Sequence, residues 1–439
     1  MKNIEFSFVD AMIPQRRILR TAERLKPEIR KLSNAISERY EGDLASLYLP
    51  DDKLMLGEVK RAIGEKLQLK PVYLVVVGIG GSNLGTVAIQ EAVLGRLYNQ
   101  LTASIKVLYA DTVDSDGINN IITLVKPVLE RGDNIILNVI SKSGTTTETI
   151  ANAEVLIELL HSRKNDNKNC ICVTTDKYSE LWNIALRERY NALEIPKKVG
   201  GRYSVFSPVS LFPLGLLGIN IERLLDGAKY MRKICIDTNI EKNPAAISAT
   251  IQYLHCQSGK NISDLFIFAN DLESLGKWCR QLIAESLGKE FNNKGETANI
   301  GITPVISIGS TDLHSMAQLY LGGPYDKFTT FLRVENNNSH IKVPMLKEYS
   351  KLINGIQGKR LESIMSAIME GAKVAFRKGG RPFMEVKLPC KSEYPIGQFL
   401  QFKMMETIYL GYLLGVNPFD QPNVESYKSE TRKILAEQN

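Results

Sequence analysis

Residues 141–149 (SKSGTTTET) carry six hydroxyl side chains in nine positions: Ser141, Ser143, Thr145, Thr146, Thr147 and Thr149. Ahead of them, residues 134–140 form a short apolar and β-branched run. Behind them, residues 150–160 repeat their apolar positions at helical spacing. The pattern predicts a buried strand, a turn eased by Gly144, and a helix start at which Thr145 and Glu148 have the separation of a capping box. At such a junction the unpaired N–H groups and the positive end of the helix dipole face the same way, an arrangement that suits an anion. A Ser/Thr-rich loop with one cap uses only part of this set; a phosphate monoester held mostly by neutral donors would use the rest.

Four further stretches hold residues able to do chemistry. In KVGGRYSVFSPVSLFPLGLLG, Arg202 follows two glycines in a segment apolar enough to be buried, so its guanidinium needs a partner. That partner is either a neighbouring acid or negative charge on a bound molecule. In the helix expected over residues 272–287, Leu275, Trp278, Cys279, Leu282 and Ile283 form the apolar stripe, with Glu285 at its edge and Gln281 one turn before it. A carboxylate half inside an apolar face suits a base that must later hold a proton, the alternative being an exposed glutamate near a helix end. His314 falls in the first turn of a helix expected after Ser310, Thr311 and Asp312, which also reads as an ordinary polar helix start. Lys428, on a helix expected from Val424 onward, reads by itself as a surface lysine.

The elements that must position these groups form two similar series. Residues 71–85 (PVYLVVVGIGGSNLG) run from a buried strand into a glycine-rich turn. A dinucleotide fingerprint starting at Gly78 would need glycine or alanine where Asn83 stands, and Asp111 comes too late to be its acid, so no nicotinamide or flavin is expected. Strands over residues 105–111, 134–140 and 170–175 follow, each leading into a helix. From Asp264 the alternation begins again with DLFIFAND, TPVISIGS, FTTFLRVE and RPFMEVKLP. The expected fold is α/β: two doubly wound parallel sheets with helical extensions at both ends, and ligands at the carboxyl ends of the strands. The expected division is 1–65 helical and wrapped on the first domain, 66–235 first α/β domain, 236–400 second α/β domain and 401–439 C-terminal helical arm.

Composition narrows the class. A chain of 439 residues exceeds one ordinary core, and 44% apolar with 23% charged residues is the balance of a globular protein. No apolar run is long enough to span a bilayer, and the N-terminus lacks the order of a signal peptide, so no membrane partner and a cytoplasmic location are expected. The six cysteines are scattered and the four histidines lie at no ligand spacing, which predicts neither a disulfide framework nor a metal. Basic residues in 15–31 alternate with glutamates as on a solvated helix face, and nothing supports nucleic-acid binding.

Five blocks in order, GIGGSNLG, SKSGTTTET, VGGRYSVFSP, QLIAESLGKE with GSTDLH after it, and FDQPNVESYK, resemble the phosphoglucose isomerase family of SIS-type folds. The resemblance implies reversible isomerisation of glucose 6-phosphate and fructose 6-phosphate through ring opening and a cis-enediol, in glycolysis and gluconeogenesis. No cofactor is implied. It assigns Gly81, Ser82, Ser141, Lys142, Ser143, Thr146 and Thr149 to the phosphate end, and Gln281 and Gln421 to polar substrate contacts. Glu285 becomes the C1/C2 base, Arg202 the enediolate stabiliser, and His314 and Lys428 the groups for ring opening and closing. A homodimer is also implied, with His314 supplied across the interface. Lys197, Ser210 and Asn423 depart from the family pattern without removing a proposed catalytic group. Another phosphosugar isomerase, or a non-catalytic phosphosugar sensor, would share the loop; a sensor would not need Glu285, Arg202 and His314 together.

Overall fold

The computed structural model describes residues 2–101, 103–161 and 167–437. Its strands are β1 (Glu5–Ser7), β2 (Tyr73–Val77), β3 (Lys106–Ala110), β4 (Ile135–Ile140), β5 (Ile171–Thr175), β6 (Asn191–Glu194), β7 (Ile262–Ile267), β8 (Lys289–Phe291), β9 (Thr297–Ile300), β10 (Thr303–Ile308), β11 (Lys327–Val334) and β12 (Phe383–Leu388). The first sheet has the order β3-β2-β4-β5-β6, with every pairing parallel. The second has the order β1-β12-β11-β7-β10, parallel except for β1 at its edge. Strands β8 and β9 form a separate antiparallel pair.

The two parallel sheets expected from the alternating pattern are present, and their central strands are apolar on both faces as helix-covered strands must be. Every residue of β2 and of β4 is buried. Leu74, Val76 and Ile136 face the core that continues into the second half, whereas Val75, Val77 and Leu137 face the outer helices. The one polar side chain in β4, Asn138, donates to the Cys172 carbonyl at 3.1 Å and to Thr174 Oγ1 at 3.2 Å. In the second sheet Asp264 of β7 is fully buried; its Oδ1 accepts from Ser307 of β10 at 2.8 Å and lies 3.5 Å from the Tyr320 hydroxyl.

The N-terminal region differs from the helical wrap expected over residues 1–65. After β1 come helices Gln15–Ala22, Lys26–Glu38 and Lys53–Gln68. The last packs on Pro208–Leu216 of the first half, but β1 pairs with β12 of the second sheet. The alternation in Glu-Phe-Ser turns Phe6 inward, where its ring centroid lies 5.7 Å from that of Phe402.

A boundary at 400 falls inside helix Glu393–Leu414. This helix is apolar nearly all round and is buried along most of its length against helices Ile221–Cys235, Pro244–Gln257 and Glu273–Leu287. Its buried charges Lys403 and Glu406 pair with each other, and Ser248 donates to Glu406. Helix Val424–Glu437, by contrast, has no buried residue. Among the described residues no helix is long and apolar enough to cross a membrane.

Candidate active site

The chain leaves β2 for β3 on one side and returns as β4 on the other, so a crevice opens beyond the carboxyl ends of β2 and β4. The loops there are residues 78–82 and 141–149. In the second, Gly144 has φ +71°, and a side chain at that position would meet Leu181 and Ser179 at about 3 Å. The helix begins at Thr147, so Thr145 does not form the expected capping box; its hydroxyl bonds Ser143 instead. Ser141 is buried, with its Oγ 2.9 Å from Thr146 Oγ1 and accepting from the Gly144 N–H at 3.1 Å. Thr175 anchors this turn by donating to the Ser141 carbonyl at 2.6 Å. Thr149, in the first turn of the helix, is buried with no hydrogen-bond partner for its Oγ1. Ser143 is exposed, whereas Thr146 and Ser82 are half-buried.

The first glycine-rich loop is fitted against the catalytic candidates by the absence of side chains. A Cβ on Gly81 would lie 2.3 Å from the carbonyl carbon of Gly201 and 2.8 Å from the Arg202 nitrogen. One on Gly80 would lie 3.0 Å from Gln281 Nε2. Backbone contact therefore sets the distance between the hydroxyl-rich crevice and the helix that carries Glu285.

Arg202 is 2% exposed, and all five of its N–H donors have acceptors. Nε donates to Ser286 Oγ at 2.7 Å, and Nη1 to Gln421 Oε1 at 2.6 Å and Glu285 Oε2 at 3.4 Å. Nη2 donates to the carbonyls of Pro418 at 2.7 Å and Asp420 at 3.0 Å. Of the two alternatives left open by the sequence, the structure shows the neighbouring acid, Glu285, though by the longest of the five bonds. Gln281 Nε2 donates to Glu285 Oε1 at 2.9 Å, while its Oε1 is buried without a partner. The Tyr203 hydroxyl stands 3.0 Å from Ser286 Oγ, and burial raises its pKa above the ordinary phenol range.

Lys142 connects the two groups of residues. Burial, with the cations Arg202 and Lys198 nearby, draws its ammonium below the usual lysine range, and Asp176 opposes that shift. A cavity of about 220 Å³, lined in part by Lys142, Lys197, Lys198, Tyr203 and Asp420, borders it.

Two expected residues stand apart from this cluster. His314 is exposed and shares no hydrogen bond with Glu285 or Arg202. The helix expected there is broken into the single turn Thr311–Leu313 and helix Ala317–Gly322, with Asp312 accepting from the Ile308 N–H at 2.7 Å. Lys428 lies on the unburied C-terminal helix and donates to Glu425 at 2.7 Å.

Three residues of the cluster escaped sequence reasoning: Ser286, Lys289 and Asp420. The available signal was Lys289 itself, a cation just past Gly288 where a helix ends and its last carbonyls need donors. Among the described residues no group of three or more His, Cys, Asp or Glu side chains is placed to hold a metal ion.

Comparison with known proteins places the chain in a family. Two relatives named glucose-6-phosphate isomerase are similar over most of the chain. The one from Carboxydothermus hydrogenoformans is 33% identical over 396 residues, covering 88% of this chain and 83% of its own. That from Leptospira biflexa serovar Patoc is 35% identical over 383 residues, covering 85% and 82%. The crystal structure of a hypothetical protein from Thermus thermophilus superposes with TM-score 0.86 at 29% identity, covering 99% of this chain and 100% of its own. A glucose-6-phosphate isomerase from Chlamydia trachomatis has the same fold, with TM-score 0.82 at 19% identity over 100% of this chain and 89% of its own. The phosphoglucose isomerase profile matches residues 48–439, and the chain belongs to that family.

Proposed function

We propose that Glu285 is the base with which this chain interconverts glucose 6-phosphate and fructose 6-phosphate. The reaction is supported by the family and by relatives that carry its name. The assignment of the base rests on one observation: a half-exposed carboxylate beside an arginine that is itself buried and fully hydrogen-bonded.

In this reading the phosphate is held by Ser82, Ser141, Ser143, Thr146 and Thr149, with Gly81 giving close backbone approach and Lys142 supplying charge. The unpartnered Thr149 hydroxyl is a donor in waiting. Glu285 takes the C2 proton of the open-chain aldose, leaving negative charge on O1 in the cis-enediolate; as the O2 proton passes to O1, Glu285 returns its proton to C1 and the C2 carbonyl of the ketose forms. Arg202 stabilises that charge as a fixed cation beside it rather than by offering a free N–H. Gln281 and Gln421 hold the carboxylate and the guanidinium in place and face the sugar hydroxyls.

His314 and Lys428 open and close the ring, His314 coming from the neighbouring copy of a homodimer. Its exposed position in the single chain supports this, as does the exposed apolar series Ile341, Met345, Leu346, Tyr349, Leu352 and Ile353. A monomeric mass in solution at micromolar concentration would remove this part of the reading. The phosphorylated substrates are cytoplasmic metabolites, and we place the enzyme there.

The experiment is a coupled assay of the purified chain with glucose 6-phosphate and mannose 6-phosphate side by side, with and without chelator. Glucose 6-phosphate turnover that persists in chelator is expected. No turnover of either hexose phosphate would overturn the reading.

A further inference from the structure

We propose that Lys289 is a positioning residue for the isomerisation, tying the turn that carries Asp420 and Gln421 to the carboxyl end of the Glu285 helix. The inference rests on Glu285 being the base.

Helix Glu273–Leu287 ends at Gly288, which leaves its last carbonyls without intrahelical donors. The Lys289 chain folds back over that end, and its Nζ donates to the Glu285 carbonyl at 3.0 Å. The same ammonium stands 2.9 Å from Asp420 Oδ1 and donates to the Asp420 carbonyl. Its three N–H donors thus meet three acceptors, and the residue is only 7% exposed.

A buried ammonium is costly unless it is fully paired, so the arrangement is stable only when the turn is in place. The choice of acceptors ties it to the site. One is the main chain of the base. Another, the Asp420 carbonyl, also receives Arg202 Nη2. The next residue, Gln421, receives Arg202 Nη1. Close to both ends of the latch, Asn423 donates to Glu290 at 2.9 Å and extends the seam. Without the Lys289 charge, Asp420 loses its ion pair and its carbonyl keeps only Arg202, so the turn is untied from the end of the Glu285 helix and both the guanidinium and Gln421 lose their register on Glu285.

The phosphate loop shares no atom with this latch, and the expected signature follows from that. Lys289→Met should lower kcat about 10²-fold, the scale of a small misplacement of catalytic groups, while KM for fructose 6-phosphate stays within about threefold. Lys289→Arg should recover kcat to within about tenfold of the parent. Lys289→Met combined with Asp420→Asn should lose no more than Lys289→Met alone, because the two residues act as one unit. If Lys289→Met does not fold, Asp420→Asn carries the test, with kcat about tenfold down and KM unmoved.

A folded Lys289→Met or Asp420→Asn protein with kcat within twofold of the parent overturns the proposal, as does a double variant whose loss is the product of the two single losses. Glu285→Gln is assayed alongside. If it turns over, the base assignment fails; if it is inactive while Lys289→Met is not impaired, the latch alone fails.

Discussion

The Arg202 guanidinium stands 3.4 Å from the Glu285 carboxylate, at the long end of a hydrogen bond, while Ser286, Gln421 and two backbone carbonyls hold it at 3.0 Å or less. The cation is therefore fixed by the protein before any substrate arrives. The carboxylate is held loosely, by Gln281 on one oxygen and Arg202 on the other. A rigid cation beside a carboxylate with room to move is the arrangement that proton transfer next to a developing enediolate requires.

Replacing Glu285 with glutamine keeps the size and polarity of the side chain and removes its basicity. Binding of a phosphosugar should persist, measured by calorimetry with fructose 6-phosphate, while turnover falls by about 10²- to 10⁴-fold. Near-parental turnover in the coupled assay would remove Glu285 from the role of base.

Arg202→Ala should act on turnover far more than on affinity, with kcat down about 10²- to 10³-fold. If KM rose and kcat held, the guanidinium would be binding the ground state rather than stabilising charge in the transition state.

Gly81→Ala places a methyl group 2.3 Å from the Gly201 carbonyl carbon, and backbone cannot yield as a flexible side chain can. The loop must move, so KM should rise, with destabilisation of about 1–3 kcal/mol by urea unfolding. Unchanged KM and unfolding midpoint would show that this contact does not set the geometry.

Asp264 gives a prediction in pH. Burial pushes its carboxyl up to about 7, against hydrogen bonds from Ser307, Tyr320 and Thr329 and with the Asp312 charge adding to the rise. An aspartate in the unfolded chain ionises at about 3.9. Between those two values the folded state therefore holds a proton that the unfolded state has released. This contribution to stability is full below about pH 4 and is lost as pH rises through about 7. Asp264→Asn removes the titration and can keep the acceptor for Ser307. Relative to the parent, its unfolding free energy should gain about 2–4 kcal/mol between about pH 4 and pH 8. A difference that stays flat over this range would show that Asp264 does not titrate there.

The parts legible in sequence were those with a local cause. The apolar runs of β2 and β4 announced buried strands, and the six hydroxyls with Gly144 announced the turn that the structure contains. The short strand β6 and the edge strand β1 were not legible: Asn191–Glu194 and Glu5–Ser7 gain strand geometry from the sheets they join. Arg202 could be read as needing partners but not which ones, since all five of its acceptors lie at least 83 positions along the chain and two of them are carbonyls of the turn before Gln421. Lys289 was missed for the same reason. A lysine just past a helix end reads as solvent-exposed until a distant turn closes over it.

The C-terminal helix has no fully buried residue, yet it bears Lys428. Such a rod carries no address of its own; where it points is decided at its root, by the few bonds around residues 417–423. A substitution there would swing the lysine without touching it, and its effect would be felt far from the place where the chain was changed.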